Sequence, residues 1–172
     1  DKGYFSLNAY GYYGDDEEYM ISKMKYQEPS GVHWDYRSGD TQVLGLIVEK
    51  VFGQNISELV SERFMKPMGA EADALWLLDG NEKHEKAFCC FNATVRDFAR
   101  IGQLVLNLGK WDGKQIISEK YLLQSIQPAG YISDARGSAI RFYGYHWWIL
   151  HYKEYSIPFV WGEKGQFLFV IP

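Results

Sequence analysis

Cysteine is scarce in this sequence, with only Cys89 and Cys90, and the two are adjacent. Two thiols cannot build the multi-bridge framework of a small disulfide-held fold, nor a four-thiolate zinc site. A disulfide ordinarily wants Cα atoms about 5.5 Å apart, more than neighbouring residues offer, so a pair of buried thiols is expected here. Proline is limited to five residues, and no repeat or low-complexity linker interrupts the chain. No apolar run reaches the ~18 residues that a membrane-spanning helix needs. Positive charge is not in excess: 18 Lys and Arg face 22 Asp and Glu, a formal net charge of −4, so no basic patch marks a nucleic-acid partner. His33, His84, His146 and His151 show no His-Glu-x-x-His and no paired ligand spacing, so no metal is expected. There is no phosphate-cradling glycine loop and no dinucleotide fingerprint, hence no expected cofactor. The chain starts Asp1-Lys2-Gly3 without Met or a signal peptide, which leaves export open.

What is present suits a folded domain. Hydrophobic residues make up 47% of 172, enough for one core. Aromatic residues cluster at Tyr10–Tyr13 and Tyr143–Trp148. Packing in a core or on strands accounts for such clusters, and an aromatic binding cleft is the functional alternative. His146, beside two tryptophans, is expected to be packed.

Punctuation along the chain predicts helices first and strands last. Asp15 and Asp16 cap a short helix over Glu17–Lys25, and Pro29-Ser30-Gly31 turns the chain. Asp40 or Thr41 opens a helix to about Phe52, with Gly53 as its stop. Asn55 and Glu58 have capping-box spacing for a helix over Ile56–Met65, ending at Pro67. Residues 69–91 read mostly as loop, with a short strand over 74–78 and a solvated charged stretch over 82–86. Thr94 and Asp97 repeat the capping-box spacing before a helix that runs through Leu106 to Gly109, with Asn92 also in a capping role. Gly109–Gly113 is a turn, and Ser118 caps a helix of about eight residues before Pro128. Arg141–Tyr152 and Phe159–Ile171 are aromatic and β-branched, with Gly162 and Gly165 interrupting the second run; both read as antiparallel strands. The fold class is therefore α+β, with a mainly helical part over 1–139 and antiparallel strands over 140–172. Two or three strands make a poor sheet alone, so the strands read as part of a larger sheet.

Trp34-Asp35-Tyr36-Arg37-Ser38-Gly39-Asp40-Thr41 is the stretch with most chemical content. A phenol with a pKa of about 10 acts as a base only when nearby cations lower that value by roughly 1–3 units. Arg37 is adjacent, but in an extended segment it points to the opposite side. On the residues alone, Tyr36 reads as a packed aromatic.

Tyr36-Arg37-Ser38, followed by Gly39–Gly45 and a helix, resembles the Tyr-x-Asn or Tyr-x-Ser box of the β-lactamase-like serine hydrolases and penicillin-binding proteins. The similarity continues in order. Gly53–Gly69 resembles the family's glycine-started stretch ending in Pro-Leu-Gly. Asn92–Gly102 resembles its Thr-x-x-Asp-hydrophobic-Ala-Arg-Phe-Gly helix, and Gly162–Gln166 with Val170-Ile171-Pro172 resembles the strand bearing its third motif. The branch with aminohexanoate-oligomer hydrolases and related esterases looks nearest, because Ser ends its tyrosine box.

The resemblance implies a β-lactamase/transpeptidase-like fold and acyl transfer on a small ester, amide or peptide-like substrate. A serine of a Ser-x-x-Lys helix attacks the carbonyl, that lysine and Tyr36 move the proton, and backbone N–H groups stabilise the oxyanion. Ser38 bonds substrate or lysine, and Glu163, Lys164, Gly165 and Gln166 line the cleft. Ser22-Lys23-Met24-Lys25 is the only Ser-x-x-Lys, but it lies just before the tyrosine box and reads as helix surface. The nucleophile is thus expected upstream of Asp1. At the third motif Glu163 takes the position usually cationic, with Lys164 its neighbour; on a strand Lys164 replaces it only through a bulge. That departure points away from a β-lactamase or carboxypeptidase activity and toward an esterase or amidase with other specificity, or a degenerate site. The family is mostly exported, which implies periplasm or cell envelope. The rival expectation from another class is a non-catalytic peptidoglycan- or glycan-binding protein on the same scaffold. A self-contained domain of unrelated fold is the third.

Overall fold

The computed structural model describes residues 17–26, 28–80, 84–162 and 164–172. They fall into two compact units. The first holds Tyr36–Lys66, Ala72–Ala93 and the described part of Asp1–Gln27; the second holds Glu28–Asp35, Pro67–Glu71 and the described part of Thr94–Pro172. Elements follow the expected order, helices first and the main sheet last, in an α+β arrangement.

In the first unit, α1 spans Glu17–Lys23 and α2 spans Ser38–Phe52. Gly53 closes α2 in the left-handed conformation, φ 65°, and its N–H donates to the Glu49 carbonyl at 2.8 Å. α3, Ile56–Val60, continues as a π-helical stretch, Ser61–Met65. β1, Leu75–Trp76, pairs antiparallel with β2, Phe91–Asn92. Gly45 is buried on α2, and a Cβ there would stand 2.5 Å from Ala87 Cβ and 3.0 Å from Ile56 Cδ1. Only glycine lets the 84–92 segment and α3 approach α2 so closely.

The stretch expected to be solvated behaves otherwise at its described end. Glu85 and Lys86 are 1% and 3% exposed. The Glu85 carboxylate accepts the N–H groups of Ile56 and Ser57, both at 3.3 Å, and the Ser57 hydroxyl. It thereby caps α3, whereas Asn55, at the N-cap position, makes no side-chain capping bond. Buried Gln42 on α2 completes the arrangement, donating to the Glu85 carbonyl at 3.0 Å and accepting from Ala87 N–H at 2.7 Å.

A second departure from expectation lies at Cys89 and Cys90, which are joined in a disulfide. Cys90 adopts φ 69°, in the left-handed region. Both residues are half-buried. Asn92 is not a helix cap: it sits in β2, and its amide donates to the Cys90 carbonyl at 2.9 Å.

The second unit has an apolar core. α4, Val95–Leu106, begins as expected, with the Thr94 hydroxyl accepting the Asp97 N–H. β3 (Lys110–Trp111) and β4 (Lys114–Gln115) form a hairpin. Its Asp112-Gly113 corner has φ 44° and 78°, the two positive values a type I′ turn needs. α5 covers Glu119–Ser125. Val105 from α4, Leu122 from α5 and Val170 form the buried centre, with Ile117, Ile126 and Trp147 packed on it. Each such side chain contributes roughly 1.5–3 kcal/mol by leaving water.

β5 (Trp148–Tyr152), β6 (Tyr155–Trp161) and β7 (Phe167–Phe169) form an antiparallel sheet in that order. Trp148, Phe159 and Phe169 lie opposite one another across the strands, and Trp161 faces Phe167 two residues on, so one face is aromatic. Leu168 points to the other face and packs on α4, its Cδ1 3.1 Å from where a Cβ on Gly102 would stand. The second aromatic run is thus two strands and a turn. Trp34 joins the aromatic face, its ring 5.0 Å from Phe142 and 6.2 Å from Trp148. His146, expected to be packed, is exposed with φ 60°.

Candidate active site

Arg37 is extended, φ −129° and ψ 108°, and immediately precedes the fifteen-residue α2. The helix starts at Ser38, two or three residues earlier than expected, so Ser38 lies in its first turn, where N–H groups have no intrahelical partner. Gly39 holds this turn close to Met24, since a Cβ there would stand 2.9 Å from the Met24 methyl. Tyr36 lies just before the helix and is 49% exposed. Tyr36 and Ser38 therefore share one short segment of the first unit, separated only by Arg37.

Lys164, Gly165 and Gln166 belong to the second unit, in the turn between β6 and β7. Glu163 lies outside the described residues. The Gly162 N–H donates to the Gln166 carbonyl at 2.8 Å, and the Gly165 N–H to the Gly162 carbonyl at 3.1 Å. Gly165 has φ 86°, and a Cβ on Gly162 would meet the Gln166 side-chain oxygen at 2.5 Å. The positive φ of Gly165 favours glycine there, whereas at Gly162 the flexible Gln166 side chain could give way. Lys164 is exposed on a turn and not on a strand, so the alternation of strand side chains does not govern its direction.

The local Ser-x-x-Lys offers no nucleophile geometry. α1 ends at Lys23, so Ser22 and Lys25 do not share a helix face. The Ser22 hydroxyl donates to the Tyr19 carbonyl at 2.6 Å. Among the described residues no group of three or more His, Cys, Asp or Glu side chains could hold a metal ion, and no helix is long and apolar enough to cross a membrane.

The family model for β-lactamase matches residues 3–172. The chain belongs to the β-lactamase family. A solved structure named as a 6-aminohexanoate-dimer hydrolase, from Bacillus anthracis, is 33% identical with a TM-score of 0.80, over 90% of this chain and 39% of that one. An octameric penicillin-binding protein homologue from Pyrococcus abyssi is 19% identical with a TM-score of 0.63, over 91% of this chain and 42% of its own. A protein named as a β-lactamase, from Bacteroides dorei, is 15% identical with a TM-score of 0.59, over 83% and 44%. The last two likenesses speak for the fold alone. The 172 residues match 39 to 44% of the length of these solved relatives.

Proposed function

We propose that this chain carries the tyrosine box and part of the cleft wall of a serine hydrolase acting on a small ester or amide through an acyl-enzyme. Tyr36 is the general base and Ser38 its polar partner. Lys164, Gly165 and Gln166, with Glu163, line the cleft. The nucleophile is a serine of a Ser-x-x-Lys helix outside these residues.

The observation that carries the proposal is the Tyr36-Arg37-Ser38 box at the start of α2 in a chain of this family. The half-exposure of Tyr36 as a residue is compatible with a role at a substrate, and the hydroxyl of Ser22, committed to the Tyr19 carbonyl, supports a nucleophile elsewhere. The serine attacks the carbonyl as its proton passes toward the lysine and Tyr36. The leaving group then takes that proton, and water repeats the sequence to free the acid. The 33% identity to a protein named as a 6-aminohexanoate-dimer hydrolase supports an amide or ester substrate. The Cys89–Cys90 disulfide suits an oxidising compartment, in keeping with periplasm or cell envelope.

The test is to treat the full natural protein with a fluorophosphonate and map the labelled serine by mass spectrometry. A single adduct outside residues 1–172, lost in Tyr36→Phe, is the expected result. An adduct on Ser22, or none in a folded protein, overturns it.

A further inference from the structure

The vicinal disulfide has no evident role as a global staple. A disulfide stabilises chiefly by closing a loop in the unfolded chain, and this one joins neighbours and encloses no intervening residue. Its effect must therefore be local. Cys90 stands at φ 69°, a conformation that residues other than glycine seldom hold unaided.

The two carbonyls of the pair are where the 84–92 segment grips its neighbours. The Cys89 carbonyl accepts the Trp76 indole N–H at 2.8 Å, an N–H it shares with the Lys86 carbonyl at 3.0 Å. The Cys90 carbonyl accepts the Leu77 N–H at 3.3 Å and the Asn92 amide at 2.9 Å. Trp76 in turn stacks edge-on against Phe91, ring centroids 5.0 Å apart. The same short segment holds Glu85, which caps α3.

We propose that Cys89–Cys90 is a reversible redox site whose ring locks the 84–92 segment onto β1, and that a small dithiol opens it. The reductant's thiolate attacks one sulfur and the Cys89–Cys90 bond breaks. The reagent's second thiolate then attacks its own sulfur in the mixed disulfide, and the cysteine still bound leaves as a thiolate that takes up a proton. Two electrons and two protons pass to the protein, giving two cysteine thiols, and the reagent leaves as a cyclic disulfide. With the ring gone, Cys90 relaxes from the left-handed region and its carbonyl turns away from Leu77. Half-burial of both residues leaves the sulfurs within reach of a small reagent while the fold stays intact.

The experiment uses the full natural protein with and without dithiothreitol. Peptide mass mapping after alkylation under native conditions reads the thiols, and hydrogen–deuterium exchange reads the segment. Without reductant, neither Cys89 nor Cys90 is alkylated; with it, both are. Exchange in the peptide containing Leu77 rises roughly five- to thirty-fold on reduction, the factor set by the cost of a left-handed non-glycine residue. Exchange around Val105 and Leu122 does not change. Cys90→Gly adopts the same backbone without a ring, so its Leu77 peptide stays protected in either buffer. Two freely alkylated thiols without reductant, or identical exchange in the two redox states, overturns the proposal. A Leu77 peptide in Cys90→Gly as open as in the reduced protein also overturns it.

Discussion

Each unit buries a carboxylate at a helix N-terminus, and the two reach that position by different routes. Asp97 is 0% exposed and belongs to the helix it serves: it bonds the Thr94 hydroxyl at 2.9 Å, Glu71 N–H at 3.0 Å and Arg100 at 3.0 Å, while its own N–H returns to Thr94. Glu85 is 1% exposed and caps α3 from 28 residues away in sequence. The Thr94–Asp97–Arg100 part of the first arrangement forms within a single turn, and the Glu71 N–H joins it from 26 residues earlier. The other exists only once the 84–92 segment has docked on α2 and α3. The first unit therefore caps α3 wholly by long-range polar closure, where the second builds a local Thr94–Asp97 cap with one long-range bond to Glu71, beside an apolar centre of Val105, Leu122 and Val170.

Removing the distant cap is the strongest way to break this contrast. Glu85→Ala leaves the N–H of buried Ile56 and that of exposed Ser57 without their carboxylate and should cost about 2 kcal/mol, read by denaturant unfolding of the natural protein. A loss near zero would mean that the segment is solvated after all. Thr94→Ala should cost about 1 kcal/mol as an ordinary N-cap loss. Its cost should overlap with that of Asp97→Ala, because the two side chains bond each other, and should add to that of Glu85→Ala. Full additivity with Asp97→Ala would count against the local network.

pH sharpens the comparison further. Burial pushes the Glu49 carboxyl above its ordinary value; its 2.6 Å contact with His84 opposes the rise, and the neighbouring Glu85 adds to it. Burial works against the Glu85 charge as well, but hydrogen bonds from Ser57, Glu49 and the backbone outweigh it and hold that carboxyl below its ordinary value. Among the described residues Glu49 Oε1 is buried with no donor to it, which a proton shared toward Glu85 would satisfy. The signs follow. Glu85 adds stability above pH 4.5 that is lost as pH falls through its lowered value. Glu49 adds stability below pH 4.5 that is lost as pH rises through its raised one. Glu49→Gln should remove the loss on the alkaline side and leave the acid one, seen as a flatter melting temperature above pH 4.5. An unchanged profile would refute the shared proton. The smallest effect belongs to Asn55→Ala, which should stay within about 0.5 kcal/mol because Asn55 makes no side-chain capping bond.

Sequence legibility follows the same divide. The Thr94–Asp97 spacing and the Gly53 stop are local signals, and each stands where expected; the turn expected over Gly109–Gly113 tightens to Asp112-Gly113, with Lys110–Trp111 in a strand. The ordered run of family motifs also led to the correct family and fold. Glu85 escaped because nothing near it in sequence announces a helix end 28 residues earlier; the available hint, Asn55 three residues before Glu58, pointed to the wrong cap. The disulfide escaped because it depends on a left-handed Cys90, which the sequence does not mark. The turn at Gly162–Gln166 was legible from its glycines, but the direction of Lys164 was not, since strand alternation ends at Trp161.

The most direct test of the account is the hydrolysis of p-nitrophenyl acetate by the full natural protein and its Tyr36→Phe variant, with melting temperatures measured alongside. If Tyr36 moves the proton, kcat/KM falls about 10²–10⁴-fold while the melting temperature holds. Equal hydrolysis by both proteins would contradict the assignment of Tyr36 as the general base.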